Sequence, residues 1–223
     1  MAQPPEPEQF DLTRLPAGAR LRSVTAAPGP ASGRTAPRVE LTDAVTLRGT
    51  PGLDYIDMPT FVIIPAHFAS GTIEVDILCR LNGKGPSDAH AFAGIAFHIT
   101  DDGDQFEAVY LRPLNGAKTN PPPPRHQRAV QYFAYRDWKF DRLREEYPDG
   151  RYEAGADIGP DEWIHLKLDI NRARRVVCVN GTETLVVTEP QAAATAATAG
   201  AVGLFVDIGT EAYFSNLQVT SAG

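Results

Sequence analysis

The stretch "GTIEVDILCRLNG", residues 71–83, decides how this chain is read. Ile73, Val75, Ile77 and Cys79 point one way, and Thr72, Glu74, Asp76 and Leu78 the other. A period of two is the mark of a half-buried strand. Its outer face carries two acids, Glu74 and Asp76, with Cβ atoms roughly 7 Å apart at a rise of about 3.4 Å per residue. Such a pair is either a solvated charge network or half of a site.

Similar strands follow outward in both directions. "AFAGIAFHIT", "QFEAVYLRP", "RAVQYFAYR", "EWIHLKLDIN", "RRVVCVNG", "TETLVVTE", "AGAVGLFVDI" and "AYFSNLQVTS" are apolar runs bounded by turn residues. "RLRSVTAA" (20–27) and "PRVELTDAV" (37–45) read as strands separated by the breaker-rich "PGPASGRTA". "YIDMPTFVIIPAHFAS" is apolar but interrupted by prolines, which suits an edge strand or an irregular segment. Asn180-Gly181-Thr182 matches a glycosylation acceptor, yet reads better as a hairpin turn. Pro148-Asp149-Gly150 is a second hairpin signal. "DWKFDRLREEY" (137–147) fits a short helix or an extended arm, and "QAAATAATAG" (191–200) a loop or one helical turn. About a dozen strands without a repeating period predict an all-β chain, a two-sheet antiparallel jelly-roll sandwich with a concave face. Residues 19–223 form its single domain, behind a Pro- and Glu-rich segment, 1–18, expected to be mobile. Ile73, Val75, Ile77, Ile95, Phe97, Ile164, Leu166 and Leu168 fall on the buried parity.

Hydrophobic residues make up 43% of the 223 positions and charged residues 22%, ordinary values for a globular core. The net charge of −7 and the lack of a long basic run argue against nucleic acid or an anionic membrane as partner. No stretch approaches the roughly 18 apolar residues of a membrane span, and "MAQPPEPEQFDLTRLPAG" has no secretory pattern, so a cytoplasmic location is expected. Oligomeric state is left open. Cys79 and Cys178 lie inside apolar runs and are expected to be unpaired.

The non-core faces are unusual. Gly94, Ala96 and Ala108 share them with Glu74, Asp76, His98, Tyr110, Arg112 and Gln131. A solvated face would be richer in Lys, Glu and Thr. Small residues beside aromatic and charged ones leave room for a sugar, whose ring stacks on aromatics while acids and arginine bind its hydroxyls. Trp163, His165, Lys167 and Asp169 look outward from their own strand. The loop 112–133 carries four consecutive prolines, Pro121 to Pro124, and can stand as a stiff wall, with Arg125 and His126 overhanging the groove and Trp138 following. The plainer readings are a structural charge network for Glu74, Asp76 and Arg112, packing histidines, and a solvated loop. "DDGDQ" offers Asp101, Asp102 and Asp104 as oxygen donors suited to Ca²⁺, but its spacing matches no EF-hand loop and a polar turn is the simpler expectation. No other cofactor is implied.

The segments "GTIEVDI", "GIAFHITDDGDQFEAVYLRPLNG", "RHQRAVQY", "RYEAGADIGPDEWIHLKLDI" and "YFSNLQV" resemble a bacterial group in the concanavalin A-like lectin/glucanase superfamily, near the 3-keto-disaccharide hydrolase-like and laminin-G-like domains. The resemblance runs from about residue 20 to the C-terminus and implies a jelly-roll and a carbohydrate-related role. The glucanase pattern E-x-D-x-x-E is incomplete, since Cys79 stands where a third acid would. His98 stands where relatives carry arginine. Three functions compete. The first is a glycoside hydrolase or lyase, with Glu74, Asp76 and His98 as catalytic groups and Tyr110, Arg112, Arg125, His126, Gln131 and Trp138 holding a small carbohydrate or glycoside. The others are a non-catalytic, lectin-like binding module and an intracellular enzyme acting on a small non-polymeric metabolite.

Overall fold

A computed structural model describes residues 6–188 and 199–222. Among them, two antiparallel sheets pack face to face. One sheet runs β13 (Thr182–Val187), β12 (Arg175–Val179), β11 (Trp163–Ile170), β6 (Gly71–Leu81), β15 (Thr210–Ser221), β4 (Arg34–Leu41) and β3 (Val24–Ala31). A short strand, β1 (Glu8–Phe10), pairs with β15 beyond the reach of β4. The other sheet runs β10 (Glu153–Ala154), β9 (Val130–Tyr135), β8 (Phe106–Leu111), β7 (Ala93–Ile99), β14 (Gly200–Val206), β5 (Phe61–Phe68) and β2 (Arg20–Arg22). The jelly-roll expected from the alternation is the fold observed.

The opening stretch is β6, at the centre of its sheet. Ile73, Val75 and Ile77 pair in register with Leu168, Leu166 and Ile164 of β11, and all six are sealed from water. The facing sheet meets them with Ile95, Phe97 and Val109, equally buried. Each such side chain contributes on the order of 1.5–3 kcal/mol of transfer free energy. Cys79 is buried, Cys178 half-buried, and both are free thiols.

Local chemistry explains where the elements differ from expectation. Ser23, at φ 58°, breaks residues 20–27 into β2 and β3, which join different sheets. The stretch "PGPASGRTA" is no breaker. Pro28 and Pro30 lie within β3, an edge strand where a missing amide donor is tolerated, and the turn to β4 falls at Ser32-Gly33. Part of the 37–45 segment is helical: α1 (Asp43–Arg48) starts where the Thr42 hydroxyl accepts from the Val45 amide. The Asn180-Gly181 turn, at φ 50° and 80°, joins β12 to β13 as a hairpin. Residues 140–146 form α2 (Phe140–Glu146), so Pro148-Asp149-Gly150 links a helix to β10 and not two strands. Within the N-terminal segment read as mobile, β1 is paired and Leu12 is buried. Residues 191–198 of the Ala/Thr-rich stretch lie outside the described residues.

One charged cluster is built between the sheets. Arg175 on β12 donates two hydrogen bonds, 2.9 and 2.8 Å, to the Glu107 carboxylate on β8. The Tyr132 hydroxyl donates to the same carboxylate, and His98 Nδ1 meets it at 2.8 Å. Burial would raise the Glu107 carboxyl, but His98 and Arg175 outweigh it and hold it below the usual glutamate range. A depressed carboxyl adds stability that is lost as pH falls through its folded pKa, so this cluster fails on the acid side. Glu107→Ala leaves Arg175 buried without a counter-charge, and chemical denaturation at pH 7 should show a loss of about 3–5 kcal/mol.

Candidate functional site

The seven-stranded sheet is buried on both faces along β7, β8 and β9, where one face was expected to be open. Two segments, residues 49–60 and 136–140, reach one end of that face, where Pro51, Tyr55, Ile56, Asp57 and Phe140 come together with Tyr110 and Arg112. They are tied to each other by Lys139 Nζ donating to the Gly52 carbonyl at 3.1 Å and by the Phe140 amide donating to Asp57 Oδ2 at 2.8 Å. What remains of the groove is a cavity of about 510 Å³ at one end.

Sheet register builds its floor. Phe205, Gly94, Tyr110, Gln131 and Glu153 lie side by side across five strands. Gly94 is required here, because a Cβ would lie 2.5 Å from Tyr110 Cα and 2.1 Å from the Val109 carbonyl oxygen. Arg112, just past β8, folds back over this row. Its guanidinium donates to Glu153 Oε1 at 3.0 Å, to the Tyr110 hydroxyl at 2.7 Å and to Gln131 Oε1 at 3.2 Å. Gln131 is oriented by its own amide, which donates to the Tyr132 and Tyr152 carbonyls. Arg112 is only 4% exposed, and its Nε has no protein partner. Burial disfavours the Arg112 charge, but Tyr110, Glu153 and Asp57 more than restore it.

Two acids complete the floor. Asp207, after β14, accepts from the backbone amides of Ile56, Asp57 and Ile208 at 2.7–3.0 Å. That cradle holds Ile56 and Asp57 at φ 74° and 52°, a strained backbone that non-glycine residues seldom adopt. Asp57 is fully buried, and its Oδ1 has no partner. Burial first, then the charge of Asp207, raises the Asp57 carboxyl to about 7, although the Phe140 amide, Arg112 and Tyr110 pull it back. Burial also raises Asp207, against its three amide donors. The rim carries Phe92, Phe140 and Tyr55 as apolar wall, with Arg125, Arg128 and Arg144 around the opening. Arg125 donates to Asn115 Oδ1 at 2.9 Å and to the Leu114 carbonyl, and touches His90 Nδ1. Burial, then Arg125 and Arg112, lowers His90 to about 4, so its imidazole is neutral at pH 7.

The expected site residues therefore divide. Tyr110, Arg112 and Arg125 line the cavity, and Gln131 supports Arg112 from below. His126 is exposed and does not line it, while Trp138 packs against Tyr147 with the Arg142 guanidinium 3.9 Å above its ring. His98 leaves the shared face. An extra residue in β7, with His98 at φ 54°, shifts the pairing with β14 and turns the ring between the sheets, onto Glu107 and the Ala69 carbonyl. Glu74 and Asp76 are on the other sheet altogether, so the single groove expected to join them to Arg112 does not exist. Asp76 accepts from Arg34 at 2.6 Å and Asn216 at 2.8 Å and meets His165 at 2.9 Å; Glu74 meets Lys167 at 3.1 Å. A wider groove of about 950 Å³ adjoins Asp76, His165 and the N-terminal segment, but both Asp76 oxygens are already engaged by these partners. The "DDGDQ" segment is a turn, with Asp104 paired to Arg22 and Arg136. Sequence reading missed Asp57, Asp207 and His90. An acid ending the apolar run "AGAVGLFVD" was a usable signal for Asp207, whereas Asp57 sits in an irregular segment whose path only the fold defines.

Fold and cavity together define a concanavalin A-like jelly-roll with a half-enclosed, partly polar cavity on its concave sheet. The chain belongs to the 3-keto-alpha-glucoside-1,2-lyase-like domain family, whose model matches residues 59–220. No curated protein matches the sequence. Among solved structures it is similar to the carbohydrate binding module CBM66 from Bacillus subtilis, with TM-score 0.54, 12% identity and coverage of 88% of this chain and 94% of that one. A protein of unknown function with a galectin-like fold, also from Bacillus subtilis, gives 0.55 at 11% identity, covering 95% and 93%. The Bacillus licheniformis β-glucanase gives 0.52 at 12%, covering 98% and 99%. At these identities the likeness is one of fold.

The raised Asp57 carboxyl has a measurable consequence. Between its unfolded value of 3.8 and its folded value of about 7, the folded state holds the extra proton, so Asp57 lowers stability as pH rises through that window. Asp57→Asn removes this cost. Thermal melts should show the variant more stable than wild type at pH 8, by on the order of 1–4 kcal/mol, with the two curves converging below about pH 4.

Proposed function

We propose that this chain is a carbohydrate-active protein that takes a sugar unit of a glycoside into the concave-face cavity, with Asp57 as the proton-transferring group of a lyase-type elimination. One observation carries the reading: a buried carboxyl poised near neutral pH, with one oxygen unpartnered, shares a cavity with a buried guanidinium whose Nε is also unpartnered. Unsatisfied buried polar atoms cost about 1–3 kcal/mol each, and a ligand that bonds to both recovers that cost. The family's name supplies the reaction class.

Elimination across C1–C2 of a 3-keto-glucoside needs three things from a protein. A base takes the C2 proton, and the electron pair of that C–H bond becomes the C1–C2 double bond as the C1–O bond breaks. Cationic donors stabilise the charge that develops on the 3-keto oxygen. An acid returns a proton to the departing oxygen. Asp57, at about 7, suits the first and third roles in turn. Arg112 and the Tyr110 hydroxyl suit the second, because preorganised donors in a buried site need no rearrangement as charge appears. Phe92, Phe140 and Tyr55 offer faces for the sugar ring. Glu74, Asp76 and His98 have no part in this reading.

The test is turnover of a methyl 3-keto-α-glucoside followed by release of methanol, beside calorimetric binding of the same compound. Wild type should turn it over, and Asp57→Asn should lower kcat by about 10²–10⁴-fold while still binding. Arg112→Ala should weaken both. Wild-type binding without turnover would reduce the protein to a lectin-like module. Binding that neither variant disturbs would move the site elsewhere.

A further inference from the structure

Resting on that site, we propose that the sugar it accepts carries an oxyanion, a carboxylate or a phosphate, seated against the arginine side of the cavity. Four arginines line the cavity: Arg112, Arg125, Arg128 and Arg144. Among the described residues, Glu153 is the carboxylate that answers three of them. It pairs with Arg112 at 3.0 Å, with Arg128 at 3.4 Å, and with Arg144 through both of its oxygens. Arg125 has no acid partner there at all; its acceptors are an amide oxygen, a backbone carbonyl and a neutral imidazole.

The other acids at the cavity do not restore the balance. Asp207 is engaged by three backbone amides, and Asp88 is exposed at the mouth. Asp57 is substantially protonated near neutral pH. The guanidiniums also press on one another: after burial itself, Arg144 is the largest influence lowering Arg128, with Arg112 adding to it. In a chain of net charge −7, a concentration of unanswered cations around a half-enclosed cavity is a feature with a purpose. Guanidiniums recognise carboxylate and phosphate through paired N–H donors, and Arg112 Nε is a donor still available. A neutral sugar would fill the cavity and leave the excess charge unmet.

Titration calorimetry of the full chain with methyl β-D-glucuronide, glucose 6-phosphate and methyl β-D-glucoside tests this. At least one anionic sugar should bind about tenfold or more tightly than the neutral glucoside at low salt, and the advantage should shrink as salt is raised. A lead for the glucuronide assigns a uronate, and a lead for the phosphate ester a sugar phosphate. Arg125→Gln and Arg128→Gln should each cut the ratio of anionic to neutral affinity at least threefold. Arg128 sits on the half-exposed rim, so that variant keeps the test valid should Arg125→Gln fold poorly. Equal affinity for neutral and anionic sugars overturns the inference and leaves the sugar site standing. Inorganic phosphate, titrated as a control, also overturns it if it binds as tightly as the sugars, and so does binding of none of the three sugars, while turnover of the methyl 3-keto-α-glucoside separately decides the sugar site.

Discussion

A guanidinium buried at the end of a β-strand must be met by acceptors from every element around it, and Arg112 sets this demand on the concave sheet. Glu153 reaches it from β10, Gln131 from β9 and Tyr110 from its own strand. Each of these is in turn held: Gln131 by two backbone carbonyls, Glu153 by Arg144 on α2. The two-residue strand β10 and the short helix α2 thus have a reason beyond packing, since they carry the charges that keep Arg112 in place. Removing one partner from such a buried set costs far more than the net worth of the pair, because the remaining charge is stranded.

The opposite wall is built against stability. Asp57 and Asp207 are buried together, Asp57 in a backbone stretch held at positive φ, and both carboxyls are raised. A fold selected only for stability would replace one of them with an amide. Retaining both, beside a donor left open on Arg112, is the pattern of a site that gives up stability for proton transfer or ligand recognition.

The sandwich was legible because strand alternation reports burial directly. Ile73, Val75 and Ile77 in β6 and Ile164, Leu166 and Leu168 in β11 were placed correctly by parity alone. Parity also placed Tyr110, Arg112 and Gln131 on one face, and the structure keeps them there. It failed where a local rule could not see the partner strand. The bulge at His98 reverses its side, and nothing in "AFAGIAFHIT" marks the extra residue. It failed again for Glu74 and Asp76, since alternation says that a residue faces away from the core but not which sheet it belongs to. Asp57 was out of reach for a third reason: its burial comes from the docking of an irregular segment against Asp207 and the Phe140 amide, a tertiary event without a periodic signature.

The proposed ligand site is the cavity between Arg112 and Asp57 and not the acid pair of the other sheet. A crystal structure of the chain soaked with a bound glycoside addresses it directly. A sugar is expected on the concave face with polar atoms within about 3.2 Å of Arg112 Nε and Asp57 Oδ1, two buried atoms lining this cavity that have no protein partner. A sugar seated instead beside Asp76, His165 and Asn216, with the concave cavity unoccupied, would contradict it.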